Sequence, residues 1–143
     1  MATHATPRWE TFSHGADIGV RGFGPTREQA FEAAALALTG VITDPAQVRP
    51  SQRVEIACAG ADEELLLYAW LNALITQMAL RGMLFSRFEV SIAADALTGA
   101  AWGEPIDVAR HRPAVEAKGA TFTELRVRPG ADGEWVAQCV IDV

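Results

Sequence analysis

Apolar and polar positions alternate along most of this chain, and two stretches switch to helical spacing. Residues 9–12 read as a short strand, and Ile18, Val20 and Phe23 alternate with Gly19, Arg21 and Gly22 in a second. Gly22, Gly24 and Pro25 mark a turn. Thr26 with Gln29 is a capping-box pattern. Ala30, Phe31, Ala34, Ala35 and Leu38 follow at 3.6-residue spacing, which predicts a helix that Gly40 stops. Residues 44–50 read as a loop with two prolines. Val54, Ile56 and Cys58 alternate in a strand that Gly60 ends. Asp62 caps a second helix, with Glu63 and Glu64 at its positive end. In that helix Leu66, Trp70, Leu74 and Met78 recur every four residues beside Leu67, Leu71 and Ile75. So wide an apolar arc belongs to a central, buried helix, here closed by Arg81 and Gly82.

Phe88, Val90 and Ile92 alternate in a further strand. Residues 95–99 turn, and residues 101–104 return as a short hairpin partner. Residues 105–117 are polar and irregular. Residues 120–128 alternate through Phe122 or Thr123, Leu125 and Val127, residues 129–133 are a turn, and residues 135–143 are the last strand. Few long helices and late strands joined by short turns predict an α+β fold, with a mostly antiparallel sheet and two main helices. A strand pair with one helix in each half hints at a duplicated β-α-β unit. The length of 143 residues predicts one domain over 1–143.

Composition narrows the function. The net charge of -6 argues against direct, non-specific binding to nucleic acid. Of 12 basic residues, 11 are Arg and only Lys118 is Lys. The first ten residues lack a basic stretch followed by an apolar run, and His4 lies in a terminus that is discounted. The apolar stretch 65–80 is shorter than the ~20 residues of a membrane span, so no membrane role is expected. Cys58 and Cys139 lie far apart in strand-like segments. They read as small buried hydrophobes in a reducing compartment, and the expected location is cytoplasmic.

Four segments carry candidate chemistry. His14 and Asp17 stand three apart in a strand connection, where Asp and Gly are also explained by an ordinary turn. Asp142 precedes Val143, whose α-carboxylate would be held in space by a strand running to the end. Asp17, Asp142 and the Val143 terminus together offer the hard oxygens that Ca²⁺, Mg²⁺ or Mn²⁺ require. Lys118 precedes a strand and can present a cation to a phosphate or carboxylate. Glu104 and His111 can serve as acid and base, or as part of a polar hairpin edge. No phosphate-binding loop, Gly-x-Ser-x-Gly or His-Glu-x-x-His is present.

In their order these segments resemble the archease family over nearly the whole chain. The marks are Phe12-Ser13-His14-Gly15-Ala16-Asp17-Ile18-Gly19, close to the family's His-Thr-Ala-Asp opening, and Leu67-Tyr68-Ala69-Trp70-Leu71-Asn72. Gly103-Glu104 with His111 comes next, then Val115-Glu116-Ala117-Lys118-Gly119-Ala120-Thr121-Phe122, then Trp135 and Asp142-Val143. Gly15 stands where the family usually has Thr, which adds backbone freedom and removes a hydroxyl. Thr123 stands where His is common. The resemblance implies a non-enzymatic activator of the RtcB-type RNA ligase. That ligase joins 2′,3′-cyclic phosphate or 3′-phosphate ends to a 5′-hydroxyl in tRNA splicing or RNA repair. It uses GTP and Mn²⁺ and passes through a histidine-linked guanylate. The activator would promote guanylylation and multiple turnover. It further implies that Asp17, Asp142 and the Val143 carboxylate bind a divalent cation, Ca²⁺ first, with Mg²⁺ or Mn²⁺ as alternatives. Lys118 matches a lysine of activation, and His14, Glu104, His111 and Thr121 are grouped with it. Two rivals are a stand-alone metal-dependent phosphoester hydrolase using His14, Asp17 and Glu104, and a chaperone-like interaction module with no metal role.

Overall fold

The computed structural model describes residues 7–143, so the readings of His4 and of the extreme N-terminus lie outside the described residues. The chain opens with a hairpin of β1 (Arg8–His14) and β2 (Asp17–Gly24). Gly15 and Ala16 join the strands. Gly15 has φ of +61° and Ala16 has no positive φ, which is the type II′ pattern that suits a two-residue hairpin. Gly15 therefore supplies, without strain, the backbone conformation that this turn adopts. Nothing lies within 4 Å of a Cβ added there, so a side chain costs only the left-handed backbone. A Gly15→Thr variant is expected to lose about 1–2 kcal/mol, read as a lower midpoint in denaturant.

Gly22, expected in a turn, lies inside β2. It makes room for α1 (Arg27–Ile42), as discussed below. Thr26 starts that helix as its sequence predicts, its hydroxyl accepting the Gln29 N–H at 3.1 Å. Gly40 does not stop it. A Cβ at Gly40 would lie 2.5 Å from the Trp9 ring, so glycine is there to let β1 approach the helix. The helix ends at Thr43, whose N–H bonds the Thr39 carbonyl and whose hydroxyl donates to the His111 carbonyl.

A single 3₁₀ turn, Pro45–Gln47, leads to β3 (Gln52–Ala59). Then come α2 (Glu63–Arg81), β4 (Met83–Ala93) and β5 (Ala96–Pro105). Asp62 accepts the Leu65 N–H at 2.8 Å, and Gly82 closes α2 in the left-handed region at φ +61°. The β4–β5 turn is tighter than expected. It is made by Ala94, at φ +56°, and Asp95, so β5 runs six residues longer than residues 101–104. Residues 105–117 include a short helix, α3 (Val108–His111), capped by Asp107. Residues 120–128 are not one strand. They divide into β6 (Gly119–Ala120) and β7 (Arg126–Pro129), because Glu124 takes φ of +54° and the chain bulges. Buried Gln138 steadies the bulge by donating from Nε2 to the Glu124 carbonyl at 3.1 Å. The last strand is β8 (Trp135–Asp142).

All strand pairs are antiparallel, as an α+β fold predicts. The two ends of the chain build one five-stranded sheet in the order β1-β2-β8-β6, with β7 also on β8. The middle builds a three-stranded sheet, β3-β5-β4. Trp70 is fully buried where these parts meet. Its Nε1 donates to the Phe31 carbonyl of α1 at 3.1 Å, and its ring meets Phe88 of β4 edge-on. Both cysteines are free. Cys139 is buried and Cys58 half-buried, and burial pushes the Cys139 thiol up to about 11. No helix among the described residues is long and apolar enough to cross a membrane.

Candidate functional site

Strand register assembles the first group of candidate residues. Ile18 of β2 pairs Ile141 of β8, so Asp17, one step earlier, stands opposite Asp142. On the other edge of β8, Gly119 pairs Asp142, and the Lys118 N–H donates to the Asp142 carbonyl at 2.8 Å. Three neighbouring strands thus deliver Asp17, Asp142 with Val143, and Lys118 to one end of one sheet. The Val143 N–H reaches Asp17 Oδ1 at 3.4 Å. Asp142 and Lys118 are exposed, while Asp17 and Val143 are half-buried. His14 is exposed and pairs Asp17 across the hairpin.

Thr121 is engaged locally. Its N–H and its hydroxyl both donate to the Val140 carbonyl, at 3.0 and 2.9 Å, and the hydroxyl accepts the Thr123 N–H at 3.1 Å. These bonds fix the segment that follows Lys118 against β8. Cys139 adds a thiol contact to the Thr121 carbonyl at 3.0 Å.

One face of α2 supports the same segment from below. Glu64, Tyr68 and Asn72 are spaced by four, which places them on one helix face. The Glu64 carboxylate accepts the Val127 N–H at 3.3 Å, and Asn72 Oδ1 accepts the Ala120 N–H at 2.9 Å. Between them the Tyr68 ring stacks on Phe122, with centroids 4.5 Å apart. Sequence reading did not assign these roles. The available signal was a polar stripe at four-residue spacing on an otherwise apolar helix.

Glu104 and His111 form a second, separate group. Glu104 is the last residue but one of β5 in the other sheet and is almost fully buried. Its carboxylate takes the Arg110 guanidinium at 2.7 Å, the Arg49 N–H at 2.8 Å and His111 Nε2 at 3.0 Å. His111 Nδ1 accepts the Asp107 N–H at 2.9 Å, so a proton on Nε2 satisfies both ring nitrogens. The Arg110 guanidinium, then the Arg49 N–H and His111, hold the Glu104 carboxyl at about 2 against the opposing effect of burial. Both carboxylate oxygens are engaged, and the arrangement ties α3 and residue 49 to β5. Among the described residues no hydrogen bond or ion pair joins this group to Asp17, Asp142 or Lys118.

The donor chemistry at the sheet end suits a hard cation. Asp17 and Asp142 offer only oxygen, the ligand that Ca²⁺ and Mg²⁺ take. Among the described residues no group of three His, Cys, Asp or Glu side chains could hold a metal. A cation here would need main-chain or terminal oxygens from Val143 to complete the two aspartates.

The model of the Archease protein family matches residues 9–143. The chain is 39% identical to the protein archease of Pyrococcus furiosus over 140 residues, covering 95% of this chain and 99% of that one. It is 38% identical to the protein archease of Methanopyrus kandleri over 139 residues, covering 94% and 99%. The solution structure of Methanobacterium thermoautotrophicum protein 1598 superposes with a TM-score of 0.81 at 34% identity, covering 94% of this chain and 98% of that chain.

Proposed function

Because the chain belongs to the archease family, we propose that it acts, as one domain, as an activator of an RtcB-type 3′-phosphate RNA ligase in tRNA splicing or RNA repair. In this reading it catalyses no reaction itself. It promotes guanylylation of the ligase and sustains its turnover in the cytoplasm. The observation that supports the reading best is the register of β8, which gathers Asp17, Asp142, Val143 and Lys118 at one sheet end. Asp17, Asp142 and the Val143 carboxylate are the proposed holders of a divalent cation, Ca²⁺ first and Mg²⁺ or Mn²⁺ as alternatives. When bound, that cation supplies positive charge for phosphate oxygens of the ligase reaction. Lys118 presents its ammonium to a nucleotide phosphate or an acidic group of the ligase. Asn72 keeps Lys118 in place through the Ala120 N–H. His14 borders the site, and Thr121 positions it through Val140. Glu104 and His111 serve it only as the fastening of α3 and residue 49 to β5.

The net charge of -6 supports action through a partner, since a ligase channel that holds RNA is basic and attracts an acidic protein. The test is ligase guanylylation with and without this protein. Asp17→Ala, Asp142→Ala and Lys118→Ala are each expected to lose most of the stimulation while keeping the wild-type melting temperature. Unchanged stimulation by all three would sink the reading. A C-terminal extension of a few residues separates out the terminal carboxylate. Affinity for the added cation, read by calorimetry, is expected to fall without unfolding, and unchanged affinity removes Val143 from the ligand set.

A further inference from the structure

Phe122 is 65% exposed, although hydrogen bonds hold the residues on both sides of it. Thr121 is held by three hydrogen bonds, the Ala120 N–H is bonded by Asn72, and the Leu125 N–H reaches the Phe122 carbonyl at 3.4 Å. Tyr68 covers one face of the Phe122 ring, stacked at 22° between planes. Beyond that contact the side chain stays largely exposed. A large apolar ring left to water costs burial free energy that an inward rotation would recover. Here the ring is instead propped outward by a partner ring on α2. Propping also means that little conformational entropy remains to be lost on docking. Aromatic side chains, Phe among them, are enriched at protein interfaces. The Lys118 N–H bonds the Asp142 carbonyl and the Thr121 N–H bonds the Val140 carbonyl, so Phe122 lies on the same β8-bound segment as Lys118, beside Val140 and two residues along β8 from Asp142.

We propose that Phe122, propped by Tyr68, is the apolar anchor by which this protein docks on its RNA ligase, entering an apolar recess at the rim of the ligase active site. The inference rests on the ligase reading above and adds a division of labour to it. The carboxylates and Lys118 act on the chemistry, and Phe122 sets the affinity.

The experiment titrates the full-length protein into a guanylylation assay and reads two quantities, the concentration for half-maximal stimulation and the maximum reached. Phe122→Ala is expected to raise the half-maximal concentration by about tenfold or more, with the maximum unchanged at saturation. Phe122→Tyr is expected to stay close to wild type. Because the ring is exposed, Phe122→Ala should melt within a few degrees of wild type. If its melting temperature falls further, Phe122→Ser with Tyr68→Ser repeats the titration without leaving a bare stacking partner. An unchanged half-maximal concentration overturns the anchor. So does a lower maximum at unchanged half-maximal concentration, which would place Phe122 in the chemistry. A raised KM for GTP alone also overturns it, since the ring would then be stacking a nucleobase. If wild-type protein neither binds nor stimulates the ligase, the ligase reading falls and the anchor falls with it. If wild type stimulates and Phe122→Ala matches it, only the anchor falls.

Discussion

A Gly22→Ala variant is expected to lose about 3 kcal/mol or more, the range of severe overpacking. Thermal melting should show it as a drop of about 10 °C for a domain of this size. The cause is a backbone collision. A Cβ at Gly22 would lie 2.1 Å from the Ala34 nitrogen and 2.4 Å from the Ala30 carbonyl oxygen of α1. Neither atom can rotate away, so α1 as a whole must lift from β2. That movement also disturbs the Phe31 carbonyl that accepts the Trp70 indole N–H. Gly15→Ala is the matched control, because it meets no atom within 4 Å and costs only its positive φ. If both variants melted alike, the close approach of helix and sheet would not be what Gly22 provides. The same contact explains part of the alanine richness of the chain. Ala30, Ala33, Ala34, Ala35 and Ala37 are all fully buried in α1, where larger side chains would hold the helix away from the sheet.

What could be read from the sequence divides along physical lines. Helix periods and caps are local, so α1, α2 and the Thr26 and Asp62 caps were legible from residue spacing alone. Glycine is ambiguous, because one residue type serves turns, helix ends and close approaches. By spacing Gly40 reads as a stop and Gly22 as a turn, yet both make room for a neighbour that sequence cannot reveal. Ala94 and Glu124 take positive φ without the glycine or asparagine that usually signals it, so the spacing places the β4–β5 turn too late and too long, at 95–99, and misses the β6–β7 break. At the candidate site the residue types were visible and their meeting was not. Asp17 and Asp142 come together only through the β2–β8 register, which is set by strands at opposite ends of the chain. The stripe of Glu64, Tyr68 and Asn72 was hidden differently. Each residue fitted an ordinary helix, and only the position of residues 119–127 gives the stripe a purpose.

Glu104→Gln should be among the most damaging polar substitutions, and its damage should depend on pH. Glu104 is a nearly buried carboxylate that accepts from Arg110, Arg49 and His111. Glutamine keeps the shape but removes the charge, and its amide nitrogen turns a donor toward one of these donors. Arg110 is left facing an uncharged group in a part-buried setting. The folded carboxyl titrates at about 2 against 4.5 for the ordinary group, with Arg110 as the first cause. A depressed carboxylate stabilises the folded state at any pH above its unfolded value. That stabilisation shrinks as pH falls from 4.5 toward 2, as the unfolded chain takes up a proton the folded one refuses. Melting wild type and Glu104→Gln side by side from pH 7 to pH 2 therefore has a defined outcome. The gap between them is largest above pH 5 and narrows on acidification below about pH 4.5. A gap constant across that range would mean that the charge on Glu104 contributes nothing and that shape alone holds α3 to β5. Under the activator reading proposed above, a Glu104→Gln protein that stimulates the ligase at low temperature, where it is folded, would place the residue in the scaffold. The surface of Asp17, Asp142 and Lys118 would then act without it.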